Sequence, residues 1–81
     1  MKYIVIDNNG MDDVILFPPW RKHDEMVLQL SVDVSKVVSA GFVKCDDAGH
    51  LYCYGESVSL RVKSRKEDTD LITRQLNFEC Y

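Results

Sequence analysis

The sequence predicts one α+β domain over residues 1–81, in the order β-β-α-β-β-α, with a four-stranded antiparallel sheet and two helices. Two stretches rich in β-branched and aromatic residues, each long enough for a hairpin, are each followed by a stretch with helical apolar spacing. The chain has 81 residues, is 46% apolar and 28% charged, and contains only four Gly and two Pro. This composition excludes a disordered chain, a collagen-like repeat and a multidomain enzyme, and a domain of this size has a small core.

Residues 3–17 are predicted to form a hairpin, because Asn9-Gly10 is the strongest two-residue turn signal and separates two β-rich runs. The predicted register sets Val5 opposite Val14, Tyr3 opposite Leu16, Ile4 opposite Ile15, Ile6 opposite Asp13 and Asn8 opposite Met11. Both faces of this hairpin are largely apolar. We therefore expect helices to cover one face and either the remaining chain or a second subunit to cover the other, which predicts a homodimer.

The proline pair at 18–19 ends the second strand, because proline cannot donate to a ladder and restricts the residue before it. A short helix is predicted from His23 to about Leu30, where the apolar spacing becomes helical and two acidic residues stand in the first turn. Residues 31–34 alternate, and the choice between strand and loop stays open there.

The third strand is predicted from Val37 to Cys45, followed by a turn over residues 46–50 that contains Gly49, and the fourth strand from Leu51 to Val62. Gly55 is expected to mark a bulge or a close backbone approach. Residues 57–62 alternate, so three of them are expected to face the core and three to face water. The core-facing set is Val58, Leu60 and Val62, and the water-facing set is Ser57, Ser59 and Arg61.

A second helix is predicted from about residue 65 to 77. Ser64 and Glu67 have the spacing of a capping box, in which each side chain satisfies a free backbone N–H group of the other's residue. The expected buried stripe of this helix is Leu71, Ile72 and Leu76.

Four cations within six residues form the most informative charge feature, which we call the basic corner: Arg61, Lys63, Arg65 and Lys66. Cations in the first turn of a helix are mildly unfavourable, so their presence there indicates a use. The partner is either the acidic patch of a protein or a nucleic-acid backbone. The alternative is a solvated corner that the acids at 67, 68 and 70 neutralise.

The second candidate surface is the segment from Phe17 to Lys22, which contains Trp20 and Arg21. Trp20 follows the stiff proline pair and precedes two cations, an arrangement that suits an aromatic anchor at an interface. The alternative is that Trp20 folds back over the small core.

Tyr52 and Tyr54 lie two residues apart, and they are expected to pack under a helix or in a dimer contact rather than to stack on bases.

The sequence predicts no enzyme, no cofactor and no metal site. Cys45, His50 and Cys53 lie on one hairpin but lack an orienting group and an oxyanion site. The acidic residues near Asn9 and near His50 lack the spacing of a calcium or zinc site, and no phosphate-binding glycine motif occurs. All three cysteines, Cys80 included, are expected to be reduced.

The net charge of −3 falls short of the charge density of a nucleic-acid binder or a DNA mimic. The apolar run at residues 3–6 is too short for a signal peptide or a membrane span. These observations predict a cytoplasmic protein that does not act at a membrane.

Three segments resemble short uncharacterised proteins of tailed phages and prophages: Val38–Val43, Cys53–Leu60 and Ser64–Thr69. The resemblance covers about half of the chain. It implies an accessory protein that binds a host protein and blocks or redirects it, including proteins of defence systems, and it assigns no role to any residue.

The leading hypothesis is therefore a non-enzymatic interaction protein that binds a host protein, with an anti-defence inhibitor as one form of this function. The expected contact residues are Trp20, Arg21, Arg61, Lys63, Arg65 and Lys66. The alternative is a nucleic-acid-binding module that uses the basic corner.

Overall fold

The computed structural model describes residues 1–76, apart from the side chain of Leu76, and confirms the predicted α+β fold. A four-stranded antiparallel sheet has the strand order β2-β1-β3-β4, and β5 and β6 form a small separate ladder. The elements are β1 (Lys2–Asn8), β2 (Met11–Phe17), α1 (His23–Gln29), a 3-10 turn (Val34–Lys36), β3 (Val37–Cys45), β4 (Leu51–Tyr54), β5 (Glu56–Ser57), β6 (Val62–Lys63) and α2 (Asp68–Leu76).

The first hairpin has the predicted register at every pair, from Tyr3 opposite Leu16 to Asn8 opposite Met11. Asn9 and Gly10 both adopt positive φ, of 56° and 87°, as a two-residue turn that follows the strand twist requires.

The strand from Val37 to Cys45 is also confirmed, and Gly49 has the positive φ expected in the following turn. The open choice at residues 31–34 is resolved as a loop that leads into the 3-10 turn.

The two helices cover opposite faces of the sheet. Val27 of α1 packs against Ile4 and Ile6 of β1, whereas Ile72 of α2 packs against the other face of the same strand. The expectation that the helices share one face is therefore wrong, because the long path from β4 through residues 55–67 carries the chain around the sheet. The apolar faces that suggested a homodimer are both covered within the chain.

The fourth strand is much shorter than predicted. It ends at Tyr54, and Gly55 adopts a φ of 78° that turns the chain out of the sheet. A tight turn follows, in which the N–H of Arg61 donates to the carbonyl of Val58 at 3.3 Å. The alternation at 57–62 is therefore wrong as a strand pattern: Val58 is 81% exposed and Ser57 is buried, whereas Leu60 is buried as predicted.

Helix α2 begins at Asp68, three residues later than predicted. The predicted capping contact joins Ser64 and Glu67, whereas the observed contact joins the next residues along the chain, Arg65 and Asp68. The backbone N–H of Arg65 donates to the Asp68 carboxylate at 2.9 Å, so Asp68 takes the role expected of Glu67. Ile72 is fully buried as predicted. Residue 77 and the side chain of Leu76 lie outside the described residues.

Helix α2 crosses the sheet from one edge strand to the other. Near its first turn, the hydroxyl of Thr69 accepts a hydrogen bond from the backbone N–H of Cys53 in β4, at 3.0 Å. Near its last turn, Gln75 accepts from the N–H of Val14 in β2 at 3.2 Å and donates to the carbonyl of Asp12. Side chains of one helix thus satisfy backbone groups on both edges of the main sheet.

Candidate functional site

The basic corner lines an open groove of about 780 Å³, which we call the basic groove. Its walls come from the β5–β6 turn region, from the chain that leads into α2, and from one residue of β3. The lining residues are Val38, Glu56, Ser57, Val58, Arg61, Val62, Lys63, Ser64, Arg65, Lys66 and Glu67. The structure therefore brings all four predicted cations to one surface.

Local backbone geometry fixes the groove walls. Arg61 closes the β5–β6 turn with a φ of 58°, a left-handed conformation that is uncommon for a residue with a side chain. Lys63 lies opposite Glu56 in the small ladder, and the N–H of Ser64 donates to the carbonyl of Gly55 at 3.0 Å. These contacts hold the segment that bears the cations against the end of β4.

Arg65 differs from the other three cations because its guanidinium is used inside the protein. It lies 2.9 Å from the buried carboxylate of Asp68 and 3.2 Å from that of Asp12, and only 28% of its side chain is exposed. A weaker contact of 3.8 Å joins it to Glu67. Arg65 thus contributes mainly to the position of α2, although it borders the groove.

Arg61, Lys63 and Lys66 are exposed and form no ion pair with any of residues 1–76. Their charges remain available to a partner. The solvated-corner alternative required neighbouring acids to neutralise them, but Asp68 points inward to Arg65. The acids that face the basic groove are Glu56 and Glu67.

Trp20 lies on the surface with 81% of its area exposed, so the alternative in which it covers the core is wrong. It belongs to a turn in which the N–H of Arg21 donates to the carbonyl of Pro18 at 3.1 Å. The Arg21 guanidinium donates to the side chain of Gln29 in α1. The turn therefore presents a large aromatic ring on a backbone that is held at both ends.

A second groove, of about 380 Å³, adjoins the basic groove and extends to Lys22, the residue that follows the Trp20 turn. Lys2 lines it, and the Lys2 ammonium also donates to the carbonyl of Arg21 at 2.9 Å. Three residues line both grooves: Glu56, Ser57 and Val58. The four predicted cations line the basic groove, whereas Trp20 and Arg21 line neither groove and adjoin the second one through Lys22 and the Lys2–Arg21 hydrogen bond. We call the two grooves together with the adjoining Trp20 turn the contact band.

The lining of the contact band includes residues that sequence reasoning did not name as contact residues, among them Lys2, Lys22, Val38 and Val58. Val58 was predicted to be core, because it fits the alternation of an unbroken strand. Lys2 is an isolated cation in the sequence, whereas Lys22 directly follows Arg21, and only the fold places both lysines in one groove with Val58. Apart from Gly55, three residues earlier, nothing in the sequence indicated that Val58 would be exposed.

Tyr52 and Tyr54 belong to a row of rings on the α1 face of the sheet. Tyr54 stacks on Phe42 with a centroid distance of 5.6 Å, and Tyr52 lies 5.8 Å from Tyr54. Phe42 in turn contacts the buried His23 edge to face at 5.6 Å. Tyr52 and Tyr54 are nevertheless 38% and 45% exposed, so the expectation that they pack under a helix is wrong, and a dimer contact stays a prediction.

The Cys45–His50–Cys53 hairpin does not form an activated thiol site. Cys53 faces α2, and burial raises the pKa of its thiol, which is the opposite of what a nucleophile needs. His50 is exposed and lies 3.5 Å from Asp46. Cys45 is disulfide-bonded, so the expectation of a reduced thiol is wrong for this residue. Cys53 is a free thiol, as expected, and Cys80 lies outside the described residues.

The acidic residues of the first hairpin have structural partners. Asp7 accepts from the N–H of Gly10 at 2.9 Å, Asp13 accepts from the amide of Asn8 at 3.0 Å, and Asp12 pairs with Arg65. Within residues 1–76, no group of three or more His, Cys, Asp or Glu side chains is placed to hold a metal ion.

No protein-family model matches the chain, and it matches no curated protein and no solved structure. The phage and prophage resemblance therefore stays a prediction. Within residues 1–76, no helix has the length and apolar character that crossing a bilayer demands.

Proposed function

We propose that this protein is a non-enzymatic interaction module that binds another protein through the contact band. The observation that carries the proposal is the 81% exposure of Trp20 on a braced turn that adjoins a continuous, cation-rich surface. Exposed Trp and Arg residues are the types most enriched among residues that dominate binding energy. In the phage or prophage setting that the resemblance implies, the partner is a cytoplasmic host protein, and an inhibitor of host defence is one form of this function.

The test compares tagged wild-type protein with two alanine variants in a quantitative pull-down from nuclease-treated host lysate. Trp20→Ala removes the anchor, and Leu28→Ala is the matched control, because Leu28 is also 81% exposed but belongs to α1 and neither to the Trp20 turn nor to the lining of the two grooves. We expect wild type and Leu28→Ala to retain one stoichiometric partner and Trp20→Ala to lose it. The melting temperature of Trp20→Ala should stay within about 2 °C of wild type.

Equal capture by wild type and Trp20→Ala would contradict the proposal. So would a fall of several degrees in the melting temperature of Trp20→Ala, because it would mean that Trp20 stabilises the fold.

A nucleic-acid-binding module is the second candidate, favoured by the three unpaired cations of the basic groove. It predicts retention on DNA or RNA at low salt and an affinity that falls steeply as salt rises, because bound counterions are released. Absence of retention at low salt would contradict it.

Homodimerisation also stays a prediction, although the hairpin faces that suggested it are covered by α1 and α2. Light scattering at micromolar concentration tests it. A mass of 9.3 kDa, that of one chain, would contradict the dimer.

A further inference from the structure

The basic groove combines two surface chemistries that one ligand class matches. Four cations and two carboxylates line it, on a chain whose overall charge is −3. The local excess of positive charge is therefore opposite in sign to the protein as a whole. A ligand drawn to this groove carries negative charge.

The apolar part of the lining is aliphatic. Val38 from β3 is 37% exposed and Val58 from the β5–β6 turn is 81% exposed, while Val62 of β6 is partly buried. Exposed valines beside cations gain from contact with aliphatic side chains, since burial of apolar area is favourable. The ligand therefore carries apolar groups as well as negative charge.

Among residues 1–76, no aromatic side chain lines the basic groove. Proteins that hold single-stranded nucleic acids combine a basic groove with aromatic rings on which bases stack. Here the exposed tyrosines of β4 lie outside the lining and stack against each other and Phe42. The groove thus lacks the π surface that nucleic acid uses, whereas carboxylates and aliphatic side chains fit both of its chemistries.

We propose that the basic groove binds a short acidic and aliphatic segment of a protein partner. Carboxylates of the segment pair with Arg61, Lys63 and Lys66, and its aliphatic side chains cover Val38 and Val58. This inference rests on the proposed function, because it names the chemistry of the segment that such a partner presents. Arg65 stays bound to Asp68 and is not needed for the pairing.

The test uses fluorescence anisotropy with three labelled probes: a decapeptide of alternating Glu and Val, a decapeptide of alternating Glu and Ser, and a decamer of thymidylate. We expect the Glu–Val peptide to bind about fivefold or more tightly than either other probe, because only it offers both chemistries. The Lys63→Glu/Lys66→Glu variant should bind the Glu–Val peptide about tenfold or more weakly.

The Lys36→Glu/Lys44→Glu variant is the matched control, since both residues are exposed lysines outside the groove and the change in net charge is the same. It should weaken binding by less than about twofold. NMR gives a readout that needs no variant. When wild type is titrated with the Glu–Val peptide, the changes in backbone amide chemical shift should be largest at Val38, Val62 and Lys66.

Equal weakening by the two charge-reversal variants would overturn the inference, because it would show a response to overall charge. Equal binding of the Glu–Ser peptide would overturn the aliphatic contact, and tighter binding of thymidylate would assign the groove to nucleic acid. Failure of peptide binding with Trp20-dependent capture intact would overturn this inference alone. Peptide binding without such capture would support the groove and contradict the proposed function.

Discussion

The hydroxyl of Tyr3 donates a 2.6 Å hydrogen bond to the carboxylate of Asp68, and both side chains are fully buried. Tyr3 lies in the first strand and Asp68 begins α2, so the bond joins residues 65 positions apart. Burial and the neighbouring carboxylate raise the pKa of Tyr3, which keeps the phenol protonated as a donor. Together with Arg65 and Asp12, this pair fixes where α2 meets the sheet.

Asp68→Ala should lower the free energy of unfolding by about 2–4 kcal/mol, because the change removes the carboxylate that accepts from the buried Tyr3 hydroxyl and pairs with Arg65. Urea denaturation measures this change. Glu67→Ala is the control, since Glu67 lies 3.8 Å from Arg65 with 66% of its side chain exposed, and it should cost about 0.5 kcal/mol or less. Similar losses in the two variants would contradict a special role of the buried carboxylate.

His23 should make stability depend on pH below neutrality. Burial lowers the pKa of this histidine from 6.5, and its Nε2 lies 3.0 Å from the carbonyl of Gly41. The unfolded chain therefore binds a proton at a higher pH than the folded chain does. The contribution of neutral His23 to stability is complete above pH 6.5. It is lost as the pH falls toward the lower pKa that His23 has in the folded protein.

Melting temperatures of wild type and His23→Gln between pH 5 and 7.5 test this relationship. Glutamine keeps a donor near the carbonyl of Gly41 but does not titrate in this range. The melting temperature of wild type should fall more steeply below pH 6.5 than that of the variant. Parallel curves would show that His23 does not cause the dependence.

Gly41→Ala should destabilise the sheet strongly. A Cβ at this position would lie 2.5 Å from the backbone oxygen of Tyr54, which cannot move without shifting β4. We expect a loss of about 2–3 kcal/mol in chemical denaturation. Gly10→Ala is the comparison, because its added Cβ meets nothing within 4 Å and only the positive φ of 87° opposes it, at about 1 kcal/mol.

Gln75→Ala should uncover the edge of β2. The change removes the hydrogen bonds to the N–H of Val14 and the carbonyl of Asp12, at a cost of about 1–2 kcal/mol. Free edge groups also promote pairing between chains, so sedimentation at high concentration should show more association than in wild type. Thr73→Ala is the control, because its hydroxyl bonds only within α2, to Thr69. Equal association in both variants would contradict edge protection by Gln75.

The first hairpin could be predicted in full because its signals are local. Asn9-Gly10 sets the turn, and the turn fixes every cross-strand pair up to Tyr3. The third strand has equally clear bounds, since turn residues flank a β-rich run. In both cases the sequence pattern and the tertiary contacts favour the same structure.

The path from Gly55 to Asp68 could not be predicted, because long-range contacts decide it. Residues 57–62 alternate as a strand would, yet Leu60 is buried against the α1 face and Val58 lies at the tip of a turn without Gly, Pro or Asn inside it. The start of α2 depends on the Asp68 carboxylate, whose partners include Tyr3 in the first strand. No local pattern contains that contact.

The candidate site was predictable as a set of residue types but not as a surface. The cation cluster and Trp20 were identified from the sequence, and the structure places the cations in one groove and the Trp20 turn next to the groove that adjoins it. Arg65 shows the limit of such reasoning, because a cation that appears available in the sequence is bound to Asp68 in the fold. Trp20 required the structure to decide between core and surface.

The position of α2 across both sheet edges sets an order of events during synthesis. All four strands of the main sheet precede the helix in the chain, and residues 55–76 follow the end of β4. At ordinary translation rates these residues need about 1–4 s to be made. For that interval, a newly made sheet lacks the Thr69 and Gln75 side chains that cap its outer strands, and both edges are open to neighbouring nascent chains.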